Sequence, residues 1–488
     1  MLRINHFING EFVIPHGEDY KEKRSPNDGK VLAEVANGGR EDAKRGIDAA
    51  YESHKSWSKL PPIKRAEYLS KFLEIYKSSV NTFQEYLIRE AGGIKKKAWA
   101  ETLFTERLIS NAIEVARHVN GENIPSDSEG QLNIVFKKPK GVTSVITPWN
   151  YPLSISIKKV MHSLAFGNTV VLKTSSETPM TGYLIADVAQ KSLPKGVLNV
   201  IFGSGSVVGD EMVTNKKVSH ITFTGETVTG KEIASKAGGN LKSVTLELGG
   251  SDPLIIMDDV DIDYATRLAV FGAFFHQGQI CTSSKRILVH ERIYDRFVSR
   301  FMEAVNNLVV GDPELENTDI GPLINERQVS AMQEFVKDSQ DRGGKIISGG
   351  KFKENYFYPT VVTDVDANFK IMKEEVFGPV RPVVRFSTKE EAIDIANSTE
   401  YGLSGAVLTN NINTALFFVE NVEAGMFHVN DVTFLEESHI PFGGIKSSGL
   451  GREGGLYSAR ETMYDKWVTF TTRTKRFPIP ASLKEKTN

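Results

Sequence analysis

The sequence has little cysteine, no excess of charge of either sign and no long hydrophobic run. A single cysteine among 488 residues excludes an intrachain disulfide and any zinc site built from several cysteines, and no metal site is predicted. The 59 basic and 61 acidic residues give a net charge of −2, so neither nucleic acid nor a membrane is expected as a partner. The first residues, MLRINHFINGEF, alternate polar and apolar side chains, unlike a secretory signal, which predicts a cytoplasmic protein.

The composition is otherwise that of an ordinary globular protein. Hydrophobic residues make up 40% of the chain and charged residues 25%, which argues against disorder and fibrous structure. A chain of 488 residues is too long for one usual core, so we expect two or three domains. This balance favours a protein that acts on a small molecule.

A parallel sheet is predicted between residues 140 and 250, because short β-rich runs alternate there with helical segments. The runs are VTSVIT (142–147), TVVLK (169–173), VLNVIF (197–202), HITFT (220–224) and SVTLEL (243–248). The intervening segments near 153–166, 179–191 and 228–238 suit helices. The alternation predicts a doubly wound sheet, with ligands at the carboxyl ends of its strands.

The flanking regions have different patterns. The first 118 residues are rich in helix formers and end in a helix predicted near 97–118, so we expect helices packed around the sheet. After residue 250 a second alternating series includes RILVH (286–290) and helices near 292–308 and 325–342, which predicts a second α/β domain. The run GSGSVVG (203–209) has the spacing G-x-G-x-x-x-G, which differs from the dinucleotide fingerprint, and we interpret it as structural.

The single cysteine, Cys281, lies in FFHQGQICTSSKR, where a glycine-containing turn joins a helical pattern to the strand RILVH. Such a turn can present a thiol at a domain boundary. A lone free cysteine is nevertheless more often a small buried hydrophobic residue than a nucleophile. The interpretation of Cys281 therefore depends on the motifs around it.

Seven separated motifs supply that context. They are TPWN (147–150), LKTSSETP (172–179), FTGETVTG (223–230), LELGG (246–250), GQIC (278–281), EEVFGP (374–379) and PFGGIKSSGLGRE (441–453). In this order and spacing they resemble the aldehyde dehydrogenase superfamily over nearly the whole chain, and the benzaldehyde- and vanillin-type members in particular. The resemblance implies an α/β fold and NAD(P)-dependent oxidation of an aldehyde to a carboxylic acid.

The resemblance also implies a domain organisation. A Rossmann-type cofactor-binding domain would comprise residues 1–118 and 140–249, and a second α/β domain, the catalytic one, residues 250–448. A small β flap for oligomerisation would comprise residues 119–139 and 449–488. Pairing of the hairpin near 119–139 with a strand near 464–473 would leave an extended hydrophobic edge, so a homodimer or homotetramer is expected.

Five residues are implied for catalysis. Cys281 would be the nucleophile that forms a hemithioacetal and then a thioester. The side chain of Asn150 would join the Cys281 backbone N–H in an oxyanion hole. Glu247 would be the base that activates water against the thioester. Lys159 and Glu453 resemble residues that relay protons from this base towards solvent.

A larger set is implied for the cofactor, NAD or NADP. It comprises Thr147, Trp149, Lys173, Ser176, Gly225, Glu226, Gly230, Leu248, Glu375 and Phe377. Lys173 would bind the adenosine ribose, and Gly225 and Gly230 would lie beneath the pyrophosphate, where free N–H groups favour anions. Glu375 and Phe377 would hold the nicotinamide ribose and back the ring.

Two positions depart from the family pattern. Ser176 stands where many NAD-specific relatives have a glutamate, and Glu177 follows one place later. A serine does not repel a 2′-phosphate, so NADP is plausible and the choice between NAD and NADP stays open. Glu226 stands where small hydroxyl residues are frequent, and its carboxylate would have to point away from a pyrophosphate.

The implied aldehyde tunnel is mainly apolar. Its residues are Tyr151, Ile155, Lys158, Phe275, Ile280, Thr282 and Leu435. Such a wall suits an aromatic or medium-sized aliphatic aldehyde. Lys158 or Thr282 could instead serve a hydroxylated or acidic aldehyde such as glyceraldehyde, lactaldehyde or succinic semialdehyde. A CoA-acylating enzyme and a catalytically silent binding protein are the rival functions, and the presence of Glu247 and Cys281 argues against them.

Overall fold

The computed structural model describes residues 1–473, which form two large sheets with helices packed against them. The amino-terminal part contains five short strands followed by four helices. These are β1 (Leu2–Ile4), β2 (His6–Ile8), β3 (Glu11–Val13), β4 (Tyr20–Arg24), β5 (Val31–Ala36), α1 (Arg40–Trp57), α2 (Pro62–Ser78), α3 (Val80–Ala91) and α4 (Lys95–Val115). The helices agree with the helix-rich composition of this region.

The next part alternates strands and helices, as its pattern predicted. Its elements are β6 (Glu122–Ile124), β7 (Gln131–Pro139), β8 (Val142–Ile146), α5 (Pro152–Ala165), β9 (Thr169–Lys173), α6 (Pro179–Ser192), β10 (Leu198–Val200), α7 (Asp210–Thr214), β11 (Val218–Thr224), α8 (Thr227–Gly238) and β12 (Ser243–Glu247). All five residues of β8 and of β9 are buried, as is usual for parallel strands covered on both faces.

The carboxyl-terminal part begins with a second alternating series. Its first elements are β13 (Pro253–Ile256), α9 (Ile262–Phe274), β14 (Arg286–His290), α10 (Glu291–Asn306), α11 (Glu326–Asp341), β15 (Lys345–Ser348), β16 (Phe352–Lys353), β17 (Tyr356–Phe357) and β18 (Thr360–Thr363). The others are α12 (Lys370–Lys373), β19 (Val380–Phe386), α13 (Lys389–Asn397), β20 (Tyr401–Gly402), β21 (Ser404–Leu408), α14 (Ile412–Asn421), β22 (Met426–Val429), β23 (Ile445–Lys446), β24 (Gly449–Leu450), α15 (Gly455–Thr462) and β25 (Met463–Thr471).

The first large sheet has eight strands in the order β24-β12-β11-β8-β9-β10-β2-β3. The five strands from β12 to β10 are parallel, and β24, β2 and β3 extend the sheet in the antiparallel sense. The second large sheet has seven strands in the order β15-β18-β19-β14-β13-β21-β22, parallel except at β15. The predicted α/β class with a doubly wound parallel sheet is confirmed.

The first 36 residues differ from the helical prediction, since β1 to β5 occupy them. Phe7 of β2 pairs with Val200 of β10, so part of this segment completes the edge of the eight-stranded sheet. Pairing with a distant strand outweighs local propensity there. The run GSGSVVG forms one π-helical turn at Gly205–Gly209 that leads into α7.

A third sheet joins distant parts of the chain. Strand β7 pairs along its whole length with β25, from Met463 opposite Pro139 to Thr471 opposite Gln131, and β6 flanks β7. This arrangement has the hairpin and carboxyl-terminal strand that the sequence suggested. Residues 474–488 of the predicted oligomerisation region lie outside the described residues. Among residues 1–473, each helix is too short or too polar to cross a membrane.

Candidate active site

Cys281 lies in the loop between α9 and β14, directly after a short 3-10 turn at Phe275–Gly278. His276 (φ 50°) and Gln277 (φ 57°) have left-handed backbone in this turn, a conformation that persists only where the surroundings fix it. Cys281 is partly exposed. Burial by the surrounding protein raises the pKa of its thiol to about 12, and Lys285 acts in the opposite direction. The thiol is therefore protonated in the ligand-free protein and must lose its proton to act as a nucleophile.

Asn150 connects the end of β8 to the Cys281 loop. Its side-chain Nδ2 donates to the backbone carbonyl oxygen of Gln279 at 3.0 Å. Its backbone carbonyl oxygen accepts from His276 Nε2 at 2.9 Å. Asn150 is buried, and it lines the same cavity as Cys281. The first bond fixes the amide side chain against the loop that carries the thiol, and the second fixes the backbone of Asn150 to the same loop.

Glu247 is the last residue of β12, and its carboxyl group is buried without a hydrogen-bond partner among the described residues. A Cβ atom at Gly443 would lie 2.7 Å from Glu247 Oε1, so the glycine leaves room for the carboxyl group. Burial raises the pKa of Glu247 well above its ordinary value, and the nearby charge of Glu453 raises it further. Because leaving a buried polar group unpaired costs free energy, both oxygens are explained best by a ligand or water that they would contact.

Lys159, Thr222 and Glu453 form a buried hydrogen-bonded group near Glu247. Lys159 Nζ donates to Glu453 Oε1 at 2.5 Å and to Thr222 Oγ1 at 2.9 Å, and the threonine hydroxyl donates to the same glutamate oxygen at 2.6 Å. Burial alone would raise the pKa of Glu453, but the ammonium groups of Lys159 and Lys158 outweigh it and the net shift is downward. Glu453 is therefore held as a carboxylate.

A cavity of about 400 Å³ brings together many of the predicted site residues. They are Trp149, Asn150, Gly225, Glu226, Leu248, Cys281, Glu375 and Phe377. The rings of Trp149 and Phe377 meet edge to face with centroids 5.4 Å apart. Glu375 Oε1 accepts from the N–H of Gly250 at 3.2 Å. The aromatic walls fit a nicotinamide ring, and the carboxylate of Glu375, one of four that line the cavity, can accept from both hydroxyls of its ribose.

Four of the residues predicted for the cofactor do not line this cavity: Thr147 after β8, Lys173 at the end of β9, Gly230 in α8, and Ser176. The hydroxyl of Thr147 shares a hydrogen bond with Ser156 Oγ at 2.9 Å. Gly230 is in the first turn of α8, where the side chain of Leu248 fills the space a Cβ atom would need. Lys173 is buried at the end of β9, and burial lowers the pKa of its ammonium group to about 8. Within residues 1–473 its Nζ donates one long bond of 3.3 Å, to the carbonyl oxygen of Thr174.

Ser176 is exposed in the loop that follows β9. The neighbouring Glu177 is turned to other partners: its carboxylate accepts from Asn325 Nδ2 at 3.0 Å and pairs with Lys23 Nζ at 3.4 Å. The carboxylate of Glu177 is thus already bonded to an amide and an ammonium group. Position 176 itself presents only the small hydroxyl group of a serine.

Glu226 precedes the first residue of α8, and its carboxylate is largely exposed. It pairs with Arg327 at 3.4 Å, and both residues line the cavity. The sequence interpretation did not include Arg327, because an exposed arginine at the start of α11 carries no local signal of a site. The ion pair places the guanidinium group of Arg327 beside Glu226, the acid that departs from the family pattern.

The residues predicted for the aldehyde tunnel do not line the 400 Å³ cavity. Ile280 and Thr282 are buried, Leu435 is exposed, and Ile155 is half-buried. Phe275 lines a separate groove of about 1310 Å³ together with Phe271 and Trp99. Neither Trp99 nor Phe271 was predicted, and both are exposed aromatic residues on helices.

The other two tunnel residues, Tyr151 and Lys158, contact charged groups. The ring of Tyr151 lies against His276, with centroids 5.5 Å apart, and Lys97 Nζ is 4.5 Å from the Tyr151 ring centre. Lys158 Nζ donates to Glu436 Oε1 at 2.8 Å. Burial alone would lower the pKa of Lys158, but the nearby carboxylates, Glu436 foremost, raise it above its ordinary value. Lys158 is therefore an ammonium ion whose charge is already paired.

Two buried cations beneath the Cys281 loop were missed from the sequence. Arg381 is fully buried and donates to Gly278 O at 3.3 Å and to Ser283 Oγ at 3.0 Å. Lys285 is also buried and donates to the carbonyl oxygens of Ile280 and Cys281. The signal that could have found Arg381 is a charged residue inside the apolar run VRPVV, which a buried strand tolerates only with partners.

Comparison with known proteins agrees with this geometry. The family model described as the aldehyde dehydrogenase family matches residues 12–468. The chain is 36% identical over 467 residues to a vanillin dehydrogenase of Corynebacterium glutamicum, covering 95% of this chain and 96% of that protein. It is 34% identical over 472 residues to an NADP(+) succinate-semialdehyde dehydrogenase of Escherichia coli, covering 96% and 98%.

A solved structure supports the same assignment. The crystal structure of a salicylaldehyde dehydrogenase from Pseudomonas putida G7, in complex with salicylaldehyde, superposes with a TM-score of 0.96. Its sequence is 34% identical, and the match covers 98% of this chain and 100% of that one. The chain belongs to the aldehyde dehydrogenase family. It is an NAD(P)-dependent oxidoreductase that acts on aldehydes, and the family predicted from the seven motifs is confirmed.

Proposed function

We propose that the protein oxidises an aromatic aldehyde to its carboxylic acid, with Cys281 as nucleophile, Asn150 as oxyanion donor and Glu247 as base. The observation that carries this proposal is the 400 Å³ cavity, which Cys281 and Asn150 line together. Glu247 does not line this cavity, but it directly precedes Leu248, which does. The nucleophile and the oxyanion donor thus share one cavity, and the unpartnered base lies next to its wall.

The chemistry follows from these groups. Cys281 loses its proton and its sulfur bonds to the aldehyde carbon, and the resulting alkoxide is stabilised by Asn150 Nδ2 and the Cys281 N–H. Glu375, Phe377 and Trp149 would hold NAD(P), which would supply a hydride acceptor when bound. Loss of hydride to that acceptor would leave an acyl group on Cys281 as a thioester. Glu247 then takes a proton from a water that attacks the thioester, which releases the carboxylic acid and the Cys281 thiolate, and the proton of the acid restores the thiol.

The proton that Glu247 gains has a route away from the site. Glu453 lies close enough to raise the pKa of Glu247, and it is hydrogen-bonded to Lys159 and Thr222. We infer that Lys159 and Glu453 pass protons from Glu247 towards solvent.

One assay separates this function from the two rivals. Purified protein is incubated with benzaldehyde and NAD or NADP, with and without CoA, and absorbance of the reduced nicotinamide is followed. The proposal predicts turnover without CoA and release of the free acid. A strict need for CoA would show a CoA-acylating enzyme, and no reduction with any aldehyde of a panel would show a silent binding protein.

Cofactor preference is proposed from Ser176. With Glu177 held by Lys23 and Asn325, no carboxylate of this loop is free to repel a 2′-phosphate. We therefore infer that NADP is used at least as well as NAD. Lys173, which is buried and whose one bond within residues 1–473 is a long one to a carbonyl oxygen, would bind the adenosine ribose. The turn at Gly225 and the first turn of α8 at Gly230 would face the pyrophosphate.

Substitution Ser176→Glu is expected to shift the preference towards NAD. A carboxylate beside the 2′-phosphate would lower the ratio of kcat/KM for NADP to that for NAD by about 10-fold or more, since like charges in contact repel strongly. Steady-state kinetics with both cofactors measure the ratio. Ser176→Ala is the matched control and should keep the wild-type ratio. A wild-type enzyme that ignores NADP, or a glutamate that leaves the ratio unchanged, would remove Ser176 from cofactor selection.

The aromatic substrate is proposed from the walls of the site and from the relatives. Phe275, predicted for the aldehyde tunnel, lies with Phe271 and Trp99 in the separate 1310 Å³ groove, whose other lining residues are mostly polar or charged. The ring of Phe434 lies 6.1 Å from that of Phe275. The related vanillin and salicylaldehyde dehydrogenases carry aromatic aldehydes in their names. Lys158 gives little support to an acidic substrate, because Glu436 already neutralises its charge.

The Lys158–Glu436 pair leads to a second prediction. Glu436→Gln removes the partner and leaves the ammonium charge free to attract a carboxylate, so kcat/KM for succinic semialdehyde relative to benzaldehyde should rise by about 3- to 10-fold. The matched control is Glu437→Gln, because Glu437 is exposed and pairs at 3.7 Å with an exposed histidine. An unchanged ratio in the Glu436 variant would place Lys158 outside the substrate's reach.

The assembly and the location of the protein are also proposals. We infer a homodimer or a homotetramer built on the flap, because Tyr464, Trp467 and Phe470 of β25 and Leu132 of β7 are exposed there. Light scattering on the purified protein tests this oligomeric state.

We also propose the division of the chain into a cofactor domain, a catalytic domain and the flap. A reactive thiol at Cys281 needs reducing surroundings, which supports a cytoplasmic location.

A further inference from the structure

Lys285 is a buried ammonium group between the Cys281 loop and the loop that carries Glu375. It lies directly before β14, and its side chain is 1% exposed. Its Nζ donates to the carbonyl oxygen of Ile280 at 3.0 Å and to that of Cys281. It is also 3.2 Å from Asp252 Oδ2 and 3.5 Å from Glu375 Oε1. One cation thus contacts two carbonyl oxygens of the nucleophile's loop and two carboxylates.

The contact with Ile280 determines where the N–H of Cys281 points. The Ile280 carbonyl and the Cys281 N–H belong to one planar trans peptide, in which the two groups point in opposite directions. Lys285 and the N–H of Ser283, at 3.1 Å, hold the carbonyl oxygen from one side. The Cys281 N–H is therefore directed away from Lys285, and it makes no hydrogen bond within residues 1–473. It is free to donate to an oxygen bound beside the thiol.

Lys285 also counters the negative charges around the thiol. The charged groups that act on Cys281 are Lys285 itself, Glu375 between α12 and β19, Asp252 before β13 and Glu247 at the end of β12. The three carboxylates and burial raise the pKa of the thiol, and Lys285 lowers it. A neutral side chain at position 285 would leave two of those carboxylates without their cation.

We propose that Lys285 is a positioning residue for aldehyde oxidation, which orients the Cys281 N–H as an oxyanion donor and favours the thiolate. The proposal rests on the role proposed above for Cys281. Lys285 does not line the cavity and acts through Cys281 and Glu375. It adds a buried cation to the catalytic residues that the sequence motifs implied.

The test compares Lys285→Met with Lys285→Arg and with Lys195→Met, an exposed lysine paired with Glu11 far from this loop in sequence. Two quantities are measured: the rate of Cys281 alkylation by iodoacetamide at a series of pH values below the pKa of the thiol, and kcat with benzaldehyde and NADP. In Lys285→Met the alkylation rate at each pH should fall by about 10-fold, because a pKa higher by about one unit leaves about a tenth as much thiolate. The value of kcat should fall by about 10- to 100-fold through loss of an oriented oxyanion donor. Lys285→Arg should restore both values to within about threefold, since it keeps the charge and the donors. Lys195→Met should match the wild type.

The outcomes are distinguishable. An unchanged alkylation rate with wild-type kcat in Lys285→Met, or a lowered melting temperature with an unchanged alkylation rate, would overturn the proposal. If Lys285→Met does not fold, Lys285→Gln, which keeps a donor without the charge, carries the same expectation for the alkylation rate. If the wild type oxidises no aldehyde, the proposed function fails, but the alkylation series still decides the role of Lys285.

Discussion

Replacement of Cys281 by serine is expected to lower aldehyde oxidation by at least about 1,000-fold, because no other cysteine exists to form the thioester and a serine hydroxyl lacks the acidity and nucleophilicity of a thiol. The cofactor should still bind, since the residues proposed to hold it are separate from residue 281. Steady-state kinetics measure the first effect, and quenching of tryptophan fluorescence by NADP measures the second.

Cys281→Ala is the matched control for this substitution. It lacks any nucleophile and should be as inactive as the serine variant, with the same affinity for NADP. Turnover close to that of the wild type in either variant would show that Cys281 is an inert residue. Loss of cofactor binding in both would show that the thiol has a structural role that the proposal does not include.

Replacement of Glu247 by glutamine should stop the cycle after the hydride has left. The first turnover should still release close to one equivalent of reduced cofactor per site, while steady-state turnover falls by about 100-fold or more, as is typical for loss of a general base. Rapid mixing with saturating benzaldehyde and NADP, followed at the absorbance of NADPH, measures the burst and the steady state together. If Glu247 also takes the thiol proton, the burst will be slow but its amplitude preserved.

The control for this variant is Glu303→Gln, because Glu303 lies on the surface in an ion pair with Arg300. Its burst and its steady state should both equal those of the wild type. Full steady-state activity in Glu247→Gln would remove Glu247 from the mechanism. A folded variant with no burst at long times would mean that Glu247 acts only before acylation.

Much of the fold could be predicted because the relevant elements have strong local patterns. The runs VTSVIT and TVVLK are buried on both faces, and they form β8 and β9 close to the predicted bounds. The amino-terminal strands were not predicted, because they are short and because β2, besides its local pairing with β3, joins the sheet through β10, about 190 residues away. Long-range pairing of this kind leaves no periodic signal in a short segment.

The candidate site, like the fold, could be predicted only in part. Cys281, Asn150 and Glu247 lie in motifs, and their positions in the structure bring them to one cavity or its immediate surroundings. Lys285 and Glu177 could not be interpreted in the same way. Each is an ordinary charged residue in the sequence, and only the fold shows that one is buried under the nucleophile's loop and that the other is paired with Lys23. Side-chain direction depends on neighbours that are distant in sequence.

Mass spectrometry of the Glu247→Gln variant tests the central claim most directly, that oxidation proceeds through an acyl group on Cys281. The variant is mixed with benzaldehyde and NADP, quenched in acid after the burst, and digested. The account predicts a benzoyl group on the peptide that contains Cys281, in an amount equal to the NADPH formed. NADPH formed in that amount with an unmodified Cys281 peptide would contradict it.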